Sequence, residues 1–388
     1  MQKPQARPRV PNFGSGPTCK RPGWSVSSLS NALVGRSHRS KDGRARLKNA
    51  IELTREVAGI PKDYLIGIMP GSDTGAFECA MWSMLGARPV TVLDFESFGQ
   101  GWATDVTKQL KLEAKVLKAP YGSLPDLAAI DWNTDVVFCW NGTTSGVCIP
   151  QSSPPPADRG GLTLCDATSA VFAMPMPWDR LDATTFSWQK SLGGEAAHGM
   201  LVLSPRAVER LTTYSPKWPL PKIFRLTKGG KLIDGIFVGD TINTPSMLCV
   251  EDWLDTLNWA KNLSFDGKTG LDACIARSLV NLRTVEQFVA RNHQWIGFLA
   301  ERPEIRSNTS ICLKVVAEWF TKLGAEDQAA FTKKVSGALE AEKVAFDVNA
   351  YRDAPPGFRF WGGPAIDPQD MAAALEWLAW AYEANRPQ

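Results

Sequence analysis

The chain has 388 residues, 44% hydrophobic and 21% charged, with a net charge of +3. That length supports two domains of ordinary globular composition, while the near balance of charge disfavours general nucleic-acid binding. No apolar run reaches membrane-spanning length and no hydrophobic signal core stands near the start, so a cytoplasmic protein is the expectation. The three histidines and eight cysteines form no CxxC pair or His-rich cluster. The cysteines read as small buried hydrophobes in a reducing compartment, and no metal site is expected.

The first 41 residues carry Lys3, Arg7, Arg9, Lys20, Arg21, Arg36, Arg39 and Lys41, with no acid before Asp42. Pro4, Pro8, Pro11, Pro17 and Pro22 forbid the amphipathic helix of a transit peptide. A folded, positively charged strip facing an anionic substrate is expected instead. Apolar strands are then predicted at 64–69, 89–93, 135–140, 162–165, 183–186 and 199–203, alternating with helices. This pattern argues for an α/β fold with a mainly parallel sheet and helices on both faces. After Gly71-Ser-Asp-Thr-Gly-Ala76, the residues Phe77, Ala80, Met81, Met84 and Leu85 fall on one helix face.

Ser152-Ser-Pro-Pro-Pro156 reads as a surface loop, and Lys217–Lys231 as a basic, acid-free segment that is either a mobile solvated loop or a supplier of substrate-binding cations. A long helix from about 271 to 299 is expected to bridge two domains. Strands at 309–316 and 343–348 follow, then a closing helix with Asp367 as N-cap and Pro368 in its first turn. The expected division is an N-terminal segment (1–20), a large domain (21–265) and a smaller C-terminal α/β domain (266–388).

Two residues carry the chemistry. Asp166 and Lys190 each close a short apolar run, at the strand ends where α/β sheets place their ligands. Pyridoxal-phosphate chemistry needs such a pair: a lysine to condense with the aldehyde, and a carboxylate to keep the pyridine nitrogen protonated. Taken singly, the lysine also reads as a solvated loop residue and the aspartate as a helix N-cap. The Gly71–Ala76 turn offers backbone N–H groups and a helix dipole to a phosphate, although Asp73 is unexpected there. Asn141-Gly-Thr-Thr-Ser-Gly146 places hydroxyls at the same sheet edge, and Trp102 is a candidate to stack on the ring.

Taken together, Asn12–Pro17, Ser37-His-Arg-Ser-Lys41, the Thr143 loop, Asp166, Gln189-Lys190, Asn243-Thr244 and Gly357-Phe-Arg-Phe360 resemble the phosphoserine aminotransferases over nearly the whole chain. These are class V pyridoxal-phosphate enzymes of fold type I. The resemblance implies a seven-stranded-type sheet and Lys190 as the catalytic lysine, with Asp166 on the pyridine nitrogen, Trp102 on the ring and Thr143 on its oxygen. It places the cofactor phosphate against the backbone of Asp73 and Thr74, against Gln189, and against Asn243 and Thr244 of a second subunit. Arg359 is implied for the substrate α-carboxylate, and His38 and Arg39 of the second subunit for the substrate phosphate. The site then requires a homodimer.

The implied reaction moves an amino group from glutamate to 3-phosphohydroxypyruvate. A related four-carbon substrate of vitamin B6 synthesis is also implied. The chain departs from some members in having Asp73-Thr74 where they carry an arginine, and in lacking a histidine near Arg359. The rivals are a serine– or alanine–glyoxylate aminotransferase, a cysteine desulfurase and a non-catalytic binding protein. Cys249, in an apolar run expected to be buried, argues against the desulfurase.

Overall fold

The computed structural model describes residues 2–351 and 353–387. Its centre is a seven-stranded sheet of β1 (Leu65–Pro70), β2 (Val90–Asp94), β3 (Ala114–Lys118), β4 (Asp135–Cys139), β5 (Thr163–Asp166), β6 (Ala183–Ser187) and β7 (His198–Leu203). The spatial order is β1-β7-β6-β5-β4-β2-β3. Strands β2 to β6 pair in parallel, and β7 runs antiparallel to both β1 and β6. The C-terminal ends of β1 to β6 therefore lie along one edge, and β7 begins there.

The helices follow from their sequence signals. In α1 (Lys41–Ala58) the Ser40 side chain accepts from Gly43 N, and Gly59 closes the helix at φ 66°. Helix α2 (Ser72–Met84) starts from Gly71 at φ 79° and packs its apolar face, fully buried at Phe77, Ala80, Met81 and Met84, across β5, β6 and β7. Glycine is required in that turn: a Cβ on Gly75 would sit 2.0 Å from the Pro70 carbonyl oxygen. Helix α3 (Ser97–Thr104) lies against β2 and β4. Helix α4 (Pro205–Thr213) carries proline in its first turn, and α5 (Met247–Asn262) packs on α1.

A second core sits on a three-stranded antiparallel sheet of β8 (Ile296–Phe298), β9 (Ser310–Val315) and β10 (Gly357–Trp361). It is covered by α7 (Ala325–Ala341) and α8 (Pro368–Asn385), and Phe13 and Cys19 from the start of the chain are buried in it. Helix α6 (Gly270–Arg291) gives Cys274 to the first core and Val285 and Phe288 to the second.

Three expectations need correction. The bridging helix ends at Arg291 rather than near 299, because residues 292–295 form turns that lead into β8. Residues 343–348 form no strand. Lys343 and Asp347 take φ of 55° and 58°, which breaks extended pairing to a single bridge between Phe346 and Asn12. The N-terminal strip does not face a substrate as a block, because its cations meet acids of the folded chain. Lys3 pairs with Glu342 (2.6 Å), Arg9 with Asp367 (2.8 Å), Lys20 with Asp252 (2.9 Å) and Arg21 with Asp255 (2.7 Å).

Candidate active site

The converging strand ends open into a cavity of about 350 Å³, lined among others by Asp73, Thr74, Trp102, Thr143, Asp166, Gln189, Lys190 and Arg359. Strand pairing puts Asp166, the last residue of β5, beside Cys139 and Thr185. The Asp166 carboxylate is 8% exposed and well supplied with donors. Thr168 N donates to Oδ1 at 3.1 Å, and Trp102 Nε1 donates to Oδ2 at 3.1 Å. Trp102 is therefore oriented by the aspartate, with Phe77 packed 4.7 Å away on its ring.

Lys190 follows β6 by three residues, and its amine is enclosed by the pocket. Nζ donates to the Ser15 carbonyl, and a Cβ on Gly16 would come within 3.0 Å of it. Burial, then the positive charge of Arg359, lowers the amine from 10.5 to about 8, against the opposing pull of Asp166, Asp73 and Glu96. A large share of this lysine is thus neutral in mildly alkaline solution, which a nucleophile and a proton carrier both require.

Arg359 enters from β10 in the second core. It is 8% exposed, its Nε and Nη1 have no hydrogen-bond partner, and its guanidinium lies 5.4 Å from the centre of the Tyr351 ring. A buried fork with idle donors is suited to a planar carboxylate. On the opposite wall, Ser72 holds φ 51° at the entry to α2, and Ser72 N donates to Ala197 O at 3.2 Å. The first turn of α2 leaves the amides of Asp73 and Thr74 without intrahelical acceptors, a ready cradle for an anion. The Gln189 side chain is beside it, with Oε1 unpartnered. Thr143 Oγ1 lies 3.1 Å from Ser169 Oγ.

Glu96 is a pocket residue that sequence reasoning missed. It is 3% exposed, accepts from Phe98 N and Gly99 N at the start of α3, and takes the Thr144 hydroxyl at 2.9 Å. It therefore fixes the Thr143–Thr144 loop. Burial raises its carboxyl, with the bonds from Gly99 and Thr144 opposing. An acid two residues beyond a buried strand was the available signal, near in kind to the strand-closing Asp166.

Four expected residues do not line this pocket: His38, Arg39, Asn243 and Thr244. Arg39 Nε meets only the neighbouring His38 ring at 3.3 Å, and Asn243 Nδ2 donates to Thr244 O at 3.2 Å. The loop holding Asn243 and Thr244 is tied to the pocket side through Ser246 N, which donates to His198 Nε2 at 3.1 Å. The basic segment 217–231 is neither in the pocket nor irregular throughout. It includes a small hairpin, Thr227–Lys228 against Lys231–Leu232. Cys249 is half-buried, less covered than expected, but it lies in the first turn of α5 and not on a loop.

The donors and acceptors present fit a phosphorylated aromatic aldehyde. The Asp73–Thr74 amides suit its phosphate, Asp166 a cationic ring nitrogen, and the Lys190 amine an aldehyde carbon. Gln189 Oε1, Ser187 Oγ and two nitrogens of Arg359 stand unpartnered around the same space. Among the described residues no cluster suited to a metal ion occurs, and no helix is long and apolar enough to cross a membrane.

No protein-family model matches the chain. It is 56% identical over 382 residues to the phosphoserine aminotransferase of Methanosarcina mazei, covering 98% of this chain and 99% of that one. Among solved structures, a phosphoserine aminotransferase from Cytophaga hutchinsonii superposes with a TM-score of 0.77 at 18% identity, over 96% of this chain and 97% of that chain. The ureidoglycine–glyoxylate aminotransferase of Bacillus subtilis gives 0.78 at 12% identity, over 98% and 94%. The two structural likenesses establish the fold and do not separate their substrates.

Proposed function

The chain belongs to the phosphoserine aminotransferase family, and we propose that its pocket carries out the reversible transfer of an amino group from L-glutamate to 3-phosphohydroxypyruvate. The products are O-phospho-L-serine and 2-oxoglutarate. One observation carries this reading: an enclosed lysine amine, lowered to about 8, shares a cavity with Asp166 and an unpartnered Arg359.

Pyridoxal 5′-phosphate, when bound, supplies an aldehyde that accepts the amino group and a protonated ring that draws electrons from the reacting carbon. The amides of Asp73 and Thr74, with Gln189, hold the phosphate at the positive end of α2. Asp166 keeps the ring nitrogen protonated by placing a negative charge against it. Trp102, held by its bond to Asp166, would stack on the ring, and the Glu96-anchored Thr143 loop would present hydroxyls along the pocket edge.

Lys190 acts as the base. It takes a proton from the substrate Cα and returns it at the carbon that receives the amino group, and its lowered affinity for protons suits both steps. Arg359 binds the α-carboxylate through two parallel hydrogen bonds and so orients the Cα–H bond toward Lys190. Glutamate and phosphoserine share that carboxylate, so one arginine serves both half-reactions, which follow ping-pong kinetics.

The phosphate-reading cations come from a second copy of the chain. His38 and Arg39 are outside their own pocket and Arg39 has no acid partner among the described residues, which supports a role across a dimer interface. Asn243 and Thr244 belong to the same reading, as additional holds on the partner's cofactor phosphate.

The test is an absorption titration of the cofactor-loaded protein with O-phosphoserine, and with serine as the matched control. Phosphoserine is expected to convert the visible band at concentrations at least about tenfold lower than serine, the worth of one charge-assisted contact. Equal response to serine would remove the phosphate-reading role and favour a glyoxylate-type aminotransferase. A protein that never acquires a visible band would sink the reading of Lys190.

A further inference from the structure

Glu96 receives hydrogen bonds on both of its oxygens. Oε1 accepts from Phe98 N at 2.8 Å and Gly99 N at 2.9 Å, which caps the first turn of α3. Oε2 accepts from Thr144 Oγ1 at 2.9 Å and Thr144 N at 3.3 Å. Four donors fill the four lone-pair sites of a carboxylate. Glu96 therefore lines the pocket with no oxygen idle for a ligand, unlike Gln189 or Arg359. The Cys139 thiol adds a weaker contact, 3.7 Å from Oε1 and 3.8 Å from Asp166 Oδ2.

The two halves of this clasp lead to different walls of the pocket. Helix α3 carries Trp102, whose indole donates to Asp166. Thr144 belongs to the loop of Thr143, and the second core holds that loop from its other side. Asn141 Nδ2 donates to Ser307 Oγ at 3.0 Å and to Thr309 Oγ1 at 2.9 Å. Ser307 N donates to Gly146 O at 2.9 Å, and Cys148 N to Ile305 O at 2.7 Å. At Gly146, where φ is 71°, a Cβ would stand only 2.9 Å from the Cβ of Cys312. Cys312 is paired with Arg359 across β9 and β10. The loop is thus a joint between the sheet that holds Asp166 and the strand that brings in Arg359.

We propose that Glu96 is a positioning residue for amino transfer: by clasping α3 to the Thr143–Thr144 loop, it sets Trp102, Thr143 and Arg359 in place relative to one another without itself touching substrate. The clasp belongs to the chain alone; its effect on rate rests on the pyridoxal-phosphate reading of the pocket. Trp102, Thr143 and Arg359 serve both half-reactions, so loosening the clasp slows both by the same factor. A merely structural Glu96 would decide how much protein folds, and not how fast each folded molecule reacts.

Glu96→Gln keeps the length and one accepting oxygen, enough for the α3 cap, and turns an NH2 group toward the Thr144 donors. Hydrogen exchange of the cofactor-free protein reads the clasp. The amides of residues 141–148 are expected to exchange at least about tenfold faster in Glu96→Gln, the worth of one charge-assisted hydrogen bond. Helix α7 of the second core should keep its wild-type protection. Unchanged exchange in the loop, or a rise shared equally by α7, would overturn the local clasp.

Single-turnover amino transfer by the cofactor-loaded protein, with saturating glutamate and separately with phosphoserine, reads the positioning. These rate constants do not depend on the folded fraction. In Glu96→Gln they are expected to fall by about 10–100-fold, equally for the two substrates. Thr144→Val, which loses only the hydroxyl bond, should fall less, and Thr144→Ser, which keeps it, should match wild type. The double variant Glu96→Gln/Thr144→Val should be no slower than Glu96→Gln; additive losses would overturn the route through Thr144. A faster-exchanging loop with unchanged rate constants would overturn the positioning role. If wild type transfers no amino group, the functional reading falls and takes that role with it, while exchange still decides the clasp. Should Glu96→Gln not fold, Thr144→Val carries both measurements, with smaller expected changes in the same directions.

Discussion

The interior of the pocket and the segments attached to it by family resemblance are built on different terms. Lys190, Asp166, Trp102 and Glu96 are held near the ends of strands of a single sheet, with buried hydrogen bonds from Trp102 to Asp166 and from Thr144 to Glu96. His38, Arg39, Asn243 and Thr244 have mainly local partners and line no part of that cavity. The chain therefore holds the proposed reaction centre by itself, while the cations proposed to read the substrate phosphate lie outside that cavity. Chemistry needs positions fixed within a fraction of an ångström, which a packed sheet edge supplies. Substrate selection can be delegated to a neighbouring copy.

That contrast orders the expected effects of substitution. Lys190→Ala removes the base from the rigid region, and single-turnover amino transfer should fall by about 10³-fold or more. Arg359→Lys keeps the charge but loses the fork. The kcat/KM values for glutamate and phosphoserine should drop together by about 10²-fold, since both present the same α-carboxylate. Arg39→Ala should lower kcat/KM for phosphoserine by about 10–100-fold and leave the melting temperature of the isolated chain unchanged. A large loss of stability would place Arg39 in the fold rather than at a substrate.

A separate effect, on stability rather than rate, is a pH dependence of the cofactor-free protein. Lys190 is at about 8 when folded and returns to 10.5 when unfolded. Between those values the unfolded chain binds more protons, so stability rises with pH there, by at most about 3 kcal/mol. Denaturant unfolding at pH 8 and pH 10 should show this rise in wild type and not in Lys190→Met.

Much of the rigid region was legible from sequence. Strand-length apolar runs ending in Asp166, and the face from Phe77 to Met84 behind a glycine turn, both follow from burial. β3 escaped notice because Ala-Lys-Val-Leu-Lys is a sheet edge that alternates apolar and charged residues and is only partly buried. The segment 343–348 read as a strand because composition does not reveal left-handed residues such as Lys343 and Asp347. The N-terminal cations looked free because their partners, Glu342, Asp367 and Asp252 among them, are more than 200 residues away in sequence.

The most direct test is subunit complementation. Lys190→Ala and Arg39→Ala proteins, each inactive or nearly so with phosphoserine, would be co-refolded in equal amounts. If Arg39 reads the phosphate across a dimer interface, half of the dimers are hybrids with one intact site each, and activity should recover to about a quarter of wild type. No recovery in dimers confirmed to be mixed would contradict the division of the site between two copies, and would require the phosphate to be read within one chain.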